Sequence, residues 1–149
     1  MEVSTHLSAL FERDLKVLRK EIESYKNEPT LWVKAGEINN PPGNLALHIC
    51  GNLKHFIGAI LLKNGYERDR KFEFEGTAER QELLNQVDEA LSVVTTFFSE
   101  VKSERYDEKY PLEVFGHEMT IFYFLVHLHG HLNYHLGQIN YHRRILKSG

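Results

Sequence analysis

Two histidines four residues apart, His131 and His135, lie in the stretch HGHLNYHLGQINYHRRIL. Residues four apart share one face of a helix about one turn apart, so two imidazoles there can converge on one cation. His127 extends the same spacing by a further turn. Those three cannot all hold one ion. Zinc–nitrogen bonds of about 2.0–2.1 Å place two ligand nitrogens at most roughly 4.2 Å apart, and His127 and His135 begin about 12 Å apart along the helix axis. One of the outer two is left out, and a third ligand has to come from another element.

A second stretch, LALHICGNLKHFIGAIL, offers His48 and His55 with Asn52 between them. At about 100° per residue these three share a stripe roughly 60° wide, beside the apolar stripe rather than opposite it. His131 and His135 flank their own apolar line in the same way. If the two helices pack through their apolar lines, both histidine stripes meet at one edge of the core. Three imidazoles on one ion leave a coordination position open to water or substrate, the arrangement of catalytic rather than closed structural centres.

Four long segments with helical periodicity have to position these groups. The first runs from about Ser4 to Tyr25, with Leu7, Leu10, Phe11, Leu15, Leu18 and Ile22 at spacings of three and four and Ser4 or Thr5 as its cap. The second starts near Gly43 or Asn44 and stops at Asn64–Gly65, its apolar stripe being Ile49, Leu53, Phe56, Ile57 and Ile60. A third covers about Thr77 to Lys102 with Leu83, Leu84, Val87, Leu91, Val94, Phe97 and Phe98 on its core face. The fourth runs from about Glu118 to Leu146 along Leu125, Leu128, Leu132, Leu136 and Ile139. LWVKAGEI reads as a short helix or turn, and YPLEVF as a short extended piece. The connections at about 65–76 and 103–117 are long enough to cross over a bundle. The expectation is an all-α chain, one four-helix-bundle domain over residues 1–149 with at least one long crossover.

Composition narrows the function classes. The 149 residues hold 18 Lys and Arg against 21 Asp and Glu, a net charge of -3. A protein held to nucleic acid by phosphate contacts shows a basic excess instead. With Cys50 alone, neither an intrachain disulfide nor a cysteine-based metal cluster is available. No run of 18 apolar residues exists and the first residues, MEVSTHLSAL, are too polar for a signal peptide, so no membrane association and a cytoplasmic location are expected.

The two histidine stretches together resemble the DinB superfamily of DinB/YfiT-like metalloenzymes, and most closely its small uncharacterised DinB-like subgroup. In that family the first metal histidine lies in a stretch of the second helix that corresponds here to Leu45 to Asn52, LALHICGN, and the other two form an H-x3-H ahead of a Gly-Gln pair, matched by Gly137–Gln138. The resemblance implies His48, His131 and His135 as ligands of a divalent metal, zinc or nickel first, with iron or manganese as alternatives. It implies an up-down-down-up course of the four helices over essentially the whole chain, and commonly a homodimer. Characterised relatives include thiol-dependent S-transferases, so a small-molecule substrate and a low-molecular-weight thiol are the partners it suggests. Neutral imidazole suits several divalent ions alike.

Other residues carry weaker signals. Asn52 and Gln138 lie on the ligand faces and either orient a histidine through its second nitrogen or line a pocket. His55 sits near the metal or at the surface; His127 lies at the pocket or is a solvated, core-edge residue. His129 projects roughly 160° away from His131 and is read as unrelated. His142, with Arg143 and Arg144, suits the negative end of the last helix. Gly51 and Gly137 cost about 1 kcal/mol each inside helices, which a close approach at the metal level would explain. Cys50 points away from His48 and reads as a small buried residue. No carboxylate lies on either histidine stripe to serve as a general base. That keeps open a non-catalytic reading, a metal-binding bundle acting as sensor, store or interaction module. A purely structural dimer is a third reading, and a di-iron carboxylate site lacks its Glu-x-x-His repeats.

Overall fold

A computed structural model of the chain describes residues 3–146. Five α-helices occur among them: α1 (Val3–Ser24), α2 (Pro42–Leu53), α3 (Arg70–Glu75), α4 (Arg80–Glu100) and α5 (Ile121–Ile145). No strand is present among the described residues; one isolated antiparallel bridge joins Lys109 to Thr120, and it takes the place of the extended piece expected around 110–115. The four long helices pack so that α1 and α2 each lie against both α4 and α5.

α1 is amphipathic in the ordinary sense. Leu7, Phe11, Leu15, Leu18 and Ile22 are buried along one face, because apolar side chains at spacings of three and four form a single stripe. The helix already includes Ser4 and Thr5, so neither stands before its first turn. α5 keeps the expected line of Leu125, Leu128, Leu132, Leu136 and Ile139 in the core. Its start is set by Thr120, whose hydroxyl accepts a hydrogen bond from Tyr123 N at 3.0 Å. α4 begins at Arg80, later than expected, and the Glu28 carboxylate takes the first backbone N–H of that helix. Glu28 opens a 3-10 turn, Glu28–Trp32, which starts earlier than the short element expected over LWVKAGEI and overlaps it only at Leu31 and Trp32.

α2 departs from the expected pattern. All twelve of its residues are buried, not one stripe. PGNLALHICGNL contains no charged side chain, and a helix uncharged all round can be enclosed all round. α4 and α5 cover two sides of it, and α3 covers a third. α3 lies in the segment, residues 65–76, expected to be a crossover connection. Asp69 caps it through Phe72 N at 3.0 Å, and Asn44 of α2 donates to Glu73 O at 3.0 Å and Gly76 O at 2.8 Å, tying it down.

The second long helix also changes register. From Lys54 to Leu61 it continues as a π-helix, a form that concentrates near functional sites. Tyr110 Oη donates to Phe56 O within this stretch at 2.7 Å. The chain then turns through Lys63 and Gly65, both with positive φ, so the stop expected at Asn64–Gly65 is present. No described helix is long and apolar enough to cross a membrane.

Candidate metal centre

His48 from α2 and His131 and His135 from α5 come together at the edge of the core. Each offers one ring nitrogen, and these atoms all lie within 4.8 Å of one another. His131 Nε2 is 3.1 Å from His48 Nε2 and 3.1 Å from His135 Nε2. Two nitrogens on a tetrahedral ion with bonds of about 2.0–2.1 Å stand roughly 3.3 Å apart. The spacing therefore fits one small cation. His48 is buried, and the other two are half-buried.

The outward nitrogens show how the rings are held. His48 Nδ1 lies 3.0 Å from Glu73 Oε1 and donates to that carboxylate. His135 Nδ1 lies 2.7 Å from Gln138 Oε1 and donates to it. Both rings are thereby fixed with a bare lone pair on Nε2. His131 Nε2 has at most one proton to share between them, so lone pairs face each other across at least one of the two short contacts. A cation at the centre removes that repulsion. His131 Nδ1 is buried and has no hydrogen-bond partner.

Protonation points the same way. Burial, then the neighbouring His135, His48 and His127 rings and Arg68, push His131 down to about 3. Burial lowers His135 too, opposed by its hydrogen bond to Gln138 and reinforced by His48. Neutral imidazole is the form that binds metal.

Glu73 is the residue that the stripe analysis missed. The carboxylate absent from both histidine helices arrives from α3. Burial alone would raise its carboxyl, but hydrogen bonds from Arg68 and His48, with the Arg68 charge, outweigh this and hold it below the usual range. Arg68 grips it twice, Nε to Oε2 and an NH2 group to Oε1, each at 2.8 Å. Its guanidinium also lies over the Phe56 ring, 5.6 Å from the centroid. Glu73 is thus fully engaged as an orienting group. Gly51 on the adjacent turn of α2 carried the only signal in the sequence that something approaches there.

The remaining expected residues divide. Gln138 reaches His135. Asn52 is buried, and its Oδ1 has no partner. His55 packs edge-on against Phe56, with ring centroids 4.8 Å apart, and His127 stacks on Phe124, its centroid 6.5 Å from that of His131. Neither belongs to the three-nitrogen cluster. Gly137 does not mark a close approach, since a Cβ there would meet nothing within 4 Å. His142 is buried rather than set at an exposed helix end. Its ring meets Tyr25 Oη at 3.0 Å and Val33 O at 2.8 Å. His129, expected to be unrelated to the metal, pairs with the buried Asp14 of α1 at 2.7 Å. Cys50 is buried as expected, and burial pushes its thiol up to about 12.

Over residues 4–149 the chain matches the model of a family described as "Protein of unknown function (DUF1572)". The chain belongs to this family. No curated protein matches it. A solved structure, described as the conserved protein of locus from Enterococcus faecalis, aligns with a TM-score of 0.80, covering 100% of this chain and 99% of that one at 14% identity. At that identity the likeness speaks for the fold alone. The DUF1572 family description assigns no chemistry, and the imidazole cluster is the feature of this chain that bears on function.

Proposed function

We propose that this DUF1572 chain is a metal-dependent enzyme of the DinB-like kind, in which His48, His131 and His135 hold one divalent ion. Zinc and nickel suit the donor set best, with iron and manganese as alternatives. The observation that carries the reading is the convergence of three imidazole nitrogens from two helices, two of them with their tautomer set by Glu73 and Gln138. A histidine ligand whose second nitrogen is held by a carboxylate or amide is the usual construction of a metal centre. The DinB-like reading brings with it a single domain, an up-down-down-up helix course, a homodimer and a cytoplasmic setting.

Within that class the specific reading is a thiol-dependent S-transfer or a related detoxification. A divalent ion at such a centre supplies a lowered thiol pKa or a polarised electrophile. The chain's own residues do the rest. Glu73 and Gln138 fix the rings, and α3 closes the back of His48 with Phe74, whose ring centroid lies 4.7 Å from that of His48. Cys50, buried and held protonated, cannot be the nucleophile, so the thiol arrives as a small-molecule partner.

The test has two stages. Purified wild-type protein should carry about one equivalent of metal, and His131→Ala almost none. Metal-loaded protein should then consume a low-molecular-weight thiol together with an electrophile. Equal, trace metal in both proteins would end the reading.

One observation favours the alternative, a metal-binding bundle without turnover acting as sensor, store or interaction module. Glu73 is committed to Arg68 and His48 and is not free to move a proton. Full metal occupancy with no loss of thiol or electrophile would select that alternative.

A further inference from the structure

A cleft of about 590 Å³ opens beside the cluster, between the 37–42 segment and the outer face of α5, and His135 and Gln138 form part of its wall. That volume lies within the range of small-molecule sites, roughly 300–1,000 Å³. Its walls are mainly apolar: Ile38, Pro42, Leu45, Tyr134, Tyr141 and Ile145. Tyr134 and Tyr141 stand two turns apart on α5 and are 66% and 65% exposed; Tyr134 packs edge-on against His135, with ring centroids 5.2 Å apart, and the Arg144 guanidinium lies 5.6 Å from the Tyr141 ring centroid, so much of each ring is still open to a ligand.

The polar side chains of the cleft are the amides Asn39, Asn40 and Gln138, the imidazoles His135 and His142, and one carboxylate, Glu37. No lysine or arginine among the described residues lines it. His142 also borders the cleft, but the partners of both its ring nitrogens lie within the protein. Away from an ion held at the His135 end, an anionic ligand would meet one acidic side chain and no cationic side chain along the cleft wall, and burying an unpaired charge is costly.

We propose that this cleft binds an uncharged, largely apolar organic molecule carrying an aromatic or comparable flat body, and presents one end of it to His135. This deepens the metal-enzyme reading: the cleft takes the neutral co-substrate, while a thiol bearing carboxylates has no partner there. The body lies between the two tyrosines and the Ile38–Leu45 side, and the amides take a polar substituent.

Two fluorescent probes with the same rings test this. Phenylnaphthylamine is neutral, and anilinonaphthalene sulfonate adds one fixed negative charge. The neutral probe should bind the metal-free full chain saturably, about tenfold or more tighter than the sulfonate. Tyr141→Ala, an exposed position whose truncation spares the core, should weaken the neutral probe about tenfold. Ile145→Arg should reverse the preference by supplying the missing cation. Equal affinity for the two probes, or no effect of either variant, would overturn the proposal. Zinc titration of the same samples separates the two ideas. Zinc binding without neutral-probe binding removes the cleft and leaves the metal centre. Neutral-probe binding that follows the two variants as expected, without zinc binding, supports the cleft and removes the centre.

Discussion

The carboxylate of Glu73 occupies the space that a side chain at Gly51 would fill. A Cβ built on Gly51 would stand 2.1 Å from Glu73 Oε2 and 2.5 Å from its Cδ. The same carboxylate sets the tautomer of His48 three residues earlier, through the 3.0 Å contact to Nδ1. A glycine that weakens its helix thereby makes room for the group that orients His48.

Gly51→Ala should therefore separate stability from metal binding. Alanine gains up to about 1 kcal/mol in helix propensity, but Glu73 has to move. Zinc affinity should fall about 10–100-fold, the usual cost of losing the partner of a ligand histidine. Competition titration with a chelating dye measures it. Unchanged affinity would mean that Glu73 does not orient His48.

The three clustered histidines should behave unlike the other histidines nearby. His48→Ala, His131→Ala and His135→Ala should each lose zinc binding by orders of magnitude. His55→Ala and His127→Ala should keep it within a few-fold, since both rings lie outside the nitrogen cluster. Elemental analysis of dialysed protein gives the comparison. A strong loss in His127→Ala would move the site toward the N-terminal half of α5.

Cys50 should be silent in the folded protein. It is buried, and burial pushes its thiol up to about 12, so almost no thiolate exists at pH 8. Iodoacetamide should label it only after denaturation. Rapid labelling of the native protein would reopen the question of a protein-borne nucleophile.

Acid should destabilise the fold through its buried carboxylates. Burial would raise Asp14, but hydrogen bonds from Arg13, Asn133 and His129 and the Arg13 charge hold it lowered. Glu21 is lowered in the same manner against its burial, by Arg143 and Asn140 and by the charges of Arg143 and Arg144. A carboxyl depressed in the folded state contributes its stability above its unfolded value of about 4, and that contribution is lost as pH falls through the folded value. Urea midpoints should hold steady with respect to these groups above about pH 5 and drop below about pH 4. Asp14→Asn should flatten that acid limb.

His129→Leu should cost about 1–3 kcal/mol at neutral pH, because it strips the buried Asp14 of one hydrogen-bond partner. Urea denaturation monitored by circular dichroism reads the loss. Zinc affinity should not change, since the Asp14–His129–Asn133 group joins α1 to α5 away from the cluster. A parallel loss of zinc binding would show that the two networks are coupled.

The helical class, the four long helices and the facing pair His131 and His135 follow from local information, because apolar spacing of three and four and an i, i+4 pair are properties of a single helix. The choice of His48 over His55 came only with a family resemblance, since spacing left both on one stripe. Glu73, Arg68 and α3 were out of reach. Their segment, residues 65–76, has no sustained period, and what brings Glu73 beneath Gly51 is the docking of α3 on α2 through Asn44. Full burial of α2 likewise depends on neighbours on three sides. The sequence determined which imidazoles could share a helix face. Which nitrogen of each faces the centre follows from packing, because a tautomer is set by the partner across space and that partner lies 25 residues away for His48.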